Sequence, residues 1–420
     1  MAKIDTYFGL IDDSSISKIK RMQSQGIATD TASDPVLHFN PALLNHIYQK
    51  LKESFFCPAI LSISSDKDHS FVKESLEKYL VDVLAYPSDT FALMIERMDQ
   101  YAFIDLMIGK DLIHIIFVQE DRTDQVDRSD NIQKMIDIVH ALKTFCSTFE
   151  GSYDGLNLIV VLDKTKRIVP DDLKNVPLKE RIRELQKRYL ALNVSGVTYS
   201  ANKLIILTKT EEVVKLMFHE LIHFVKWDDL LRSVVFRTDW GLKADQRDLN
   251  LSEAYTEFLA IIVYLMYATI PISILYQRSW TDVFQTLFEL ELEHSIYLTA
   301  KVLTFFGFDS STNVSFFGGS NRTKLDQPIY LAEYVICRSL LMMRAQKIMD
   351  MVVSERQTSL KIPQRFIPDL LSMIKDDDML VEKIDQYIRN VDDASDNSLS
   401  YLALDLSSEK INRMILLGRR

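Results

Sequence analysis

Phe258 to Tyr276, FLAIIVYLMYATIPISILY, runs nineteen residues without a charged side chain. A helix apolar on every face has no side to offer water. It must lie at the centre of a large domain or cross a bilayer. Acidic residues crowd its N-terminal side and Pro271 interrupts it, so the centre of a domain is the better reading and no membrane span is expected. A chain of 420 residues is long enough to build such a core. Its 11 glycines and 10 prolines supply few tight turns, which disfavours a turn-rich β-sandwich and favours helix.

The pattern along the chain is that of a helix-rich α+β protein. Residues 1–35 are polar and rich in Ser and Asp, and read as a loose arm. Residues 36–195 read as an α/β region. Helices are expected over Pro41–Phe55, Ser70–Leu84, Asn131–Phe149 and Pro177–Asn193, with buried strands over Asp111–Glu120 and Gly155–Asp163. Residues 196–275 form the core segment, opening with GVTYSANKLIILT, two short strands joined around Ala201 and Asn202. Residues 276–420 read as helical, over Trp280–Phe306, Pro328–Val353, Pro363–Ile374 and Met379–Val391. The formal charge of −10 opposes a general nucleic-acid binder, which needs a basic surface. Cys57, Cys146 and Cys337 lie far apart, and no signal peptide precedes them. Both features suit a reduced, intracellular and cytoplasmic setting.

The core segment carries HELIH, His219 to His223. On a helix, residues four apart share a face, so two imidazoles project together and can bind one Zn2+. Glu220 then stands beside the ion, where it can take a proton from water. Thr208 and Glu211 have the spacing of a capping box for this helix, and Glu211 and Glu212 suit the positive end of its dipole. A catalytic zinc needs a third protein ligand and an open fourth position. The best candidate is Glu253, thirty residues beyond His223, in NLSEAYTEFLAII. It falls in the first turn of a helix capped by Asn250 or Ser252. Glu257 lies one turn further on the same face, where a carboxylate can accept the second ring N–H of a ligating histidine. A solvated like-charge pair fits these two glutamates poorly, because a long apolar run follows them at once.

HELIH followed by E-A-x-x-E-x-L-A resembles the gluzincin branch of the zincin metallopeptidases, over about residues 196–260. Glu257 stands where that family usually has aspartate. The hairpin of residues 196–208 resembles the zincin edge strand, along which a substrate backbone lies as an added strand. The resemblance implies a zincin-like core with Zn2+ held by His219, His223 and Glu253. It also implies a peptide or protein substrate, with Glu220 as general base and proton shuttle. It further implies an oxyanion donor from a downstream helix, for which Tyr330 and Tyr334, one turn apart in PIYLAEY, are the first candidates, followed by His294 and Tyr297. Arg278, Arg338 and Arg344 could hold a substrate carboxylate but read first as surface or interhelical pairs. A zincin-fold protein with an interaction or structural role, and zinc hydrolysis of a non-peptide bond, are the alternatives.

Overall fold

The computed structural model describes residues 9–24, 39–64, 69–78, 98–120, 125–163, 171–177, 180, 184, 195–234, 250–305, 332–353 and 358–375, and then 382–384, 386–387, 402–403, 405–406 and 410. The fold is helix-rich α+β. Its main elements in chain order are α1 (Asp13–Ser24), α2 (Asn45–Phe56), β1 (Ile60–Ser64), α3 (His69–Leu76), β2 (Met98–Ile108), β3 (Asp111–Glu120), α4 (Gln125–Thr148), β4 (Asn157–Val161), β5 (Gly196–Tyr199) and β6 (Leu204–Leu207). There follow α5 (Val213–Phe224), α6 (Leu251–Leu275), α7 (Trp280–Phe305), a π-turn (Ala332–Cys337), α8 (Arg338–Met343), α9 (Ala345–Val352) and α10 (Ile367–Lys375). Contacts group the chain into two units. A sheet unit comprises Gln49–Arg167 and Glu184–Val225, and a helical unit comprises Met1–Tyr48, Ile168–Arg183 and Lys226–Arg420.

In the sheet unit the strand order is β1-β2-β3-β4-β6-β5. Strands β3, β4 and β6 are mutually parallel, and the others pair antiparallel. A parallel strand covered on both faces reads as an unbroken apolar run, and β6 (LIIL) is buried at all four positions. Phe103, Ile116, Val118, Ile159, Val161 and Ile206 knit the strands into one core with Val72 and Leu76 of α3. Phe145 of α4 stacks on Phe218 of α5, with ring centroids 5.6 Å apart.

Helix α5 starts later than the capping box requires. Its N-cap is Glu212, in the left-handed region at φ 57, with no side-chain cap bond. Such a backbone costs about 1 kcal/mol or more, and the neighbouring loop is what holds it. Lys209 Nζ donates to Asp163 Oδ2 at 2.7 Å, and Thr210 donates from both its backbone N and its hydroxyl to Asp163 O. The loop is thereby tied to the end of β4, and Lys215 pairs with Glu212 at 3.7 Å. The expected Thr208–Glu211 box gives way to these bonds.

In the helical unit, α6 is buried at every position except Glu253, Ile274 and Leu275. It is long and apolar enough to cross a membrane, yet 89 % of its most apolar window is buried inside the protein. The helix runs on through Pro271, so the interruption expected there does not occur. The helix expected over Pro328–Val353 is instead, where described, a π-turn and two short helices. Ser339 Oγ lies 2.8 Å from Val335 O, a side-chain bond that competes with the regular backbone ladder. Most of the helix expected over Pro177–Asn193, the beginning of Pro328–Val353, and parts of Ser70–Leu84 and Met379–Val391 fall outside the described residues.

Candidate metal centre

In the sheet unit, all twelve residues of α5 are buried, His219, Glu220 and His223 among them. The four-residue spacing brings His219 Nε2 and His223 Nε2 to 3.1 Å from each other, with the rings edge-on at 75°. Two nitrogens bound to one tetrahedral zinc at about 2.0–2.1 Å lie roughly 3.3 Å apart. The imidazole pair therefore has the spacing that such an ion asks for.

Glu220 is held by β5, the terminal strand of the described sheet. Thr198 Oγ1 lies 2.8 Å from Glu220 Oε2 and 2.9 Å from Glu220 O, and donates to them. Gly196 keeps room for the same carboxylate, since a Cβ at that position would stand 2.6 Å from Glu220 Oε1. Residues 196 and 198 lie on one face of the strand because side chains alternate. Neither was singled out from the sequence. The available signal was the i, i+2 pairing of a glycine and a small hydroxyl in the strand that leads into the HELIH segment.

In the helical unit, Asn250 caps α6. Its Oδ1 accepts from Ser252 N at 3.1 Å and from the Ser252 hydroxyl at 2.8 Å. This settles the cap between the two residues proposed for it. Glu253 follows in the first turn, and Tyr334 OH donates to its Oε2 at 2.9 Å. Glu257, one turn on, is paired with Arg338 Nη1 at 3.6 Å, and both side chains are buried. Burial works against the Arg232 charge, but the carboxylates of Asp228, Asp229 and Glu253 outweigh it and hold the guanidinium above its ordinary value. Glu253 thus has a cation in its field and a phenol on one oxygen.

Of the other expected residues, Tyr330 lies outside the described residues. His294 and Tyr297 are buried on α7 with ring centroids 6.5 Å apart. Arg338 makes the interhelical pair expected of it. Glu333 was not anticipated at all. It is fully buried, and its Oε1 accepts from Asn250 N at 2.9 Å.

The fold and these side chains define an α+β protein with an HExxH helix, an edge hairpin leading into it and a capped E-A-x-x-E helix. No protein-family profile matches the chain, and no solved structure matches it. The chain is 33 % identical over 273 residues to "Uncharacterized protein R210" of Acanthamoeba polyphaga mimivirus, a match covering 65 % of this chain and 69 % of that protein. The chain belongs to the same family as that protein.

Proposed function

We propose that this protein is a zinc-dependent peptidase in which His219, His223 and Glu253 hold one Zn2+ and Glu220 moves the protons. The observation that carries the reading is the buried pair of Nε2 atoms 3.1 Å apart on α5. Burying two imidazoles and a carboxylate on one short helix is unfavourable unless they are put to use. We take His219 and His223 of the sheet unit and Glu253 of the helical unit as the three protein donors to the zinc. Two nitrogens and one carboxylate oxygen are the donor set of a catalytic zinc with an open position. The zincin-like reading of the core segment is part of the same proposal.

A bound zinc supplies Lewis acidity toward a carbonyl and makes water acidic enough to deprotonate near neutral pH. The protein's own groups do the rest. Thr198 fixes Glu220 through Oε2, and we assign Oε1, in the space kept by Gly196, to take the proton from the attacking water. The same carboxylate then delivers that proton to the departing amine. Among the described residues β5 is the terminal strand of the sheet, and an extended peptide substrate would pair along its outer edge. Tyr334 is engaged with Glu253, so service as an oxyanion donor requires its hydroxyl to exchange partners.

Metal analysis of the purified protein tests the reading. About one zinc per chain is expected, lost in His223→Ala and kept in Glu220→Gln. Cleavage of an unfolded protein substrate should disappear in Glu220→Gln. A metal-free wild type overturns the proposal. Zinc without cleavage by the wild type points to an interaction protein on the same fold.

A further inference from the structure

The π-turn and the residue after it run along a single stripe of α6. Glu333 Oε1 accepts from Asn250 N at 2.9 Å, Tyr334 OH donates to Glu253 Oε2 at 2.9 Å, and Arg338 Nη1 lies 3.6 Å from Glu257 Oε1. Positions 250, 253 and 257 are three and four residues apart, which places them on one face at successive turns. Glu333 and Tyr334 are adjacent in sequence, yet they reach points about 4.5 Å apart along the α6 axis. A π-turn carries an extra residue per turn, and such turns recur at functional sites. Arg338 is also gripped from α7, since its Nε donates to Ser295 Oγ at 3.1 Å, and Ser295 bonds Ser339 in turn at 2.6 Å. The turn is therefore anchored on two helices.

Glu253 is the partly open position in an otherwise buried opening of α6. We infer that the π-turn is a positioning device for the Glu253 carboxylate, with Tyr334 as the positioning residue and Glu333 as its support. Tyr334 takes Oε2, which fixes the rotation of the carboxylate about its last bond and so the direction of Oε1. Glu333 pins the N-cap, and with it the depth of the first turn. An acceptor held in place by its neighbours binds an ion without first losing side-chain freedom. This inference rests on the zinc reading of Glu253.

The test is the zinc affinity of the full chain, measured by competition with a chromophoric chelator, beside the melting temperature of the metal-stripped protein. Tyr334→Phe should weaken zinc binding roughly ten- to a hundred-fold and leave the metal-free melting temperature unchanged. Glu333→Ala should also weaken it, while Glu333→Gln, which keeps an acceptor for Asn250 N, should restore the affinity. Tyr334→Phe binding zinc within twofold of wild type overturns the inference and leaves the zinc reading standing. Failure of the wild type to bind zinc removes both. Should Tyr334→Phe not fold, the Glu333 pair decides, and equal affinity in Glu333→Ala and wild type overturns the inference.

Discussion

Gly196→Ala adds one methyl group to a strand whose backbone can accept it, and the consequence falls on Glu220. The new Cβ would stand 2.6 Å from Oε1 and 3.0 Å from Cδ and Cγ of Glu220, whereas ordinary contact begins at 3.4 Å. The carboxylate must therefore retreat by about 0.8 Å, which strains or breaks the 2.8 Å bond from Thr198 to Oε2. A displacement near 1 Å in a proton-transfer group can cost about a hundredfold in rate, or about 2–3 kcal/mol in the barrier. The assay is kcat and KM on an unfolded protein substrate, with zinc content and melting temperature measured on the same samples. We expect kcat to fall roughly thirty- to a hundred-fold, KM to change little, and the zinc to stay. Thr198→Val should fall in the same direction, and Thr198→Ser, which keeps the hydroxyl, should recover most of the rate. Gly196→Ala with wild-type kcat and intact zinc would refute the argument that β5 sets the position of a catalytic Glu220.

Arg338→Met should destabilise the protein by about 3–5 kcal/mol, because it strands the buried Glu257 carboxylate. Arg338→Met combined with Glu257→Leu should recover much of that in urea unfolding, and no recovery would mean the ion pair is not the source of the loss. His140 supplies a pH signature. Burial first, and the Lys143 charge second, push it down to about 4, although its Nε2 bond to Phe55 O opposes them. Below pH ~6.5 the unfolded chain binds a proton that the folded chain refuses, so this stabilisation is complete above ~6.5 and lost as the pH falls through 4, up to about 3 kcal/mol. Urea midpoints measured between pH 7.5 and 4 should show a shallower acid decline in His140→Gln, and equal slopes would exclude the assignment.

The parts of the fold that local pattern governs were legible in advance. Strand β3 spans the residues its β-branched run marks, and β5 and β6 meet around Ala201 and Asn202 as the hairpin requires. The apolar run of α6 is a buried helix with Asn250 as its cap. Where tertiary bonds override local preference, the sequence misleads. Thr208 and Glu211 spell a capping box, but the tie of Lys209 and Thr210 to Asp163 moves the start of α5 to Val213. The π-turn is invisible for the same reason, since the side chains of Glu333, Tyr334 and Arg338 in and beside it bond to α6 and α7, far away in the sequence. In the candidate site, the motif residues could be named because their spacing is helical. Their supports, Thr198, Gly196 and Glu333, sit 22, 24 and 83 residues from the groups they touch, and no periodicity links positions so far apart.

Gly196 bears further weight in a chain that uses glycine sparingly. Gly109 and Gly155 adopt φ 60 and 75, where other residues are strained, so turn geometry accounts for them. Gly196 has no such need. A glycine inside a strand weakens it by about 0.5–1 kcal/mol relative to alanine, so stability alone favours alanine at this place. What alanine would displace is the carboxylate of Glu220. If Glu220 only packed the interior, a shorter or apolar residue there would allow alanine in the strand and spare a buried charge. Keeping both Glu220 and the glycine that makes room for it gives up stability twice at one point. That is the pattern expected where the position of a carboxylate serves chemistry.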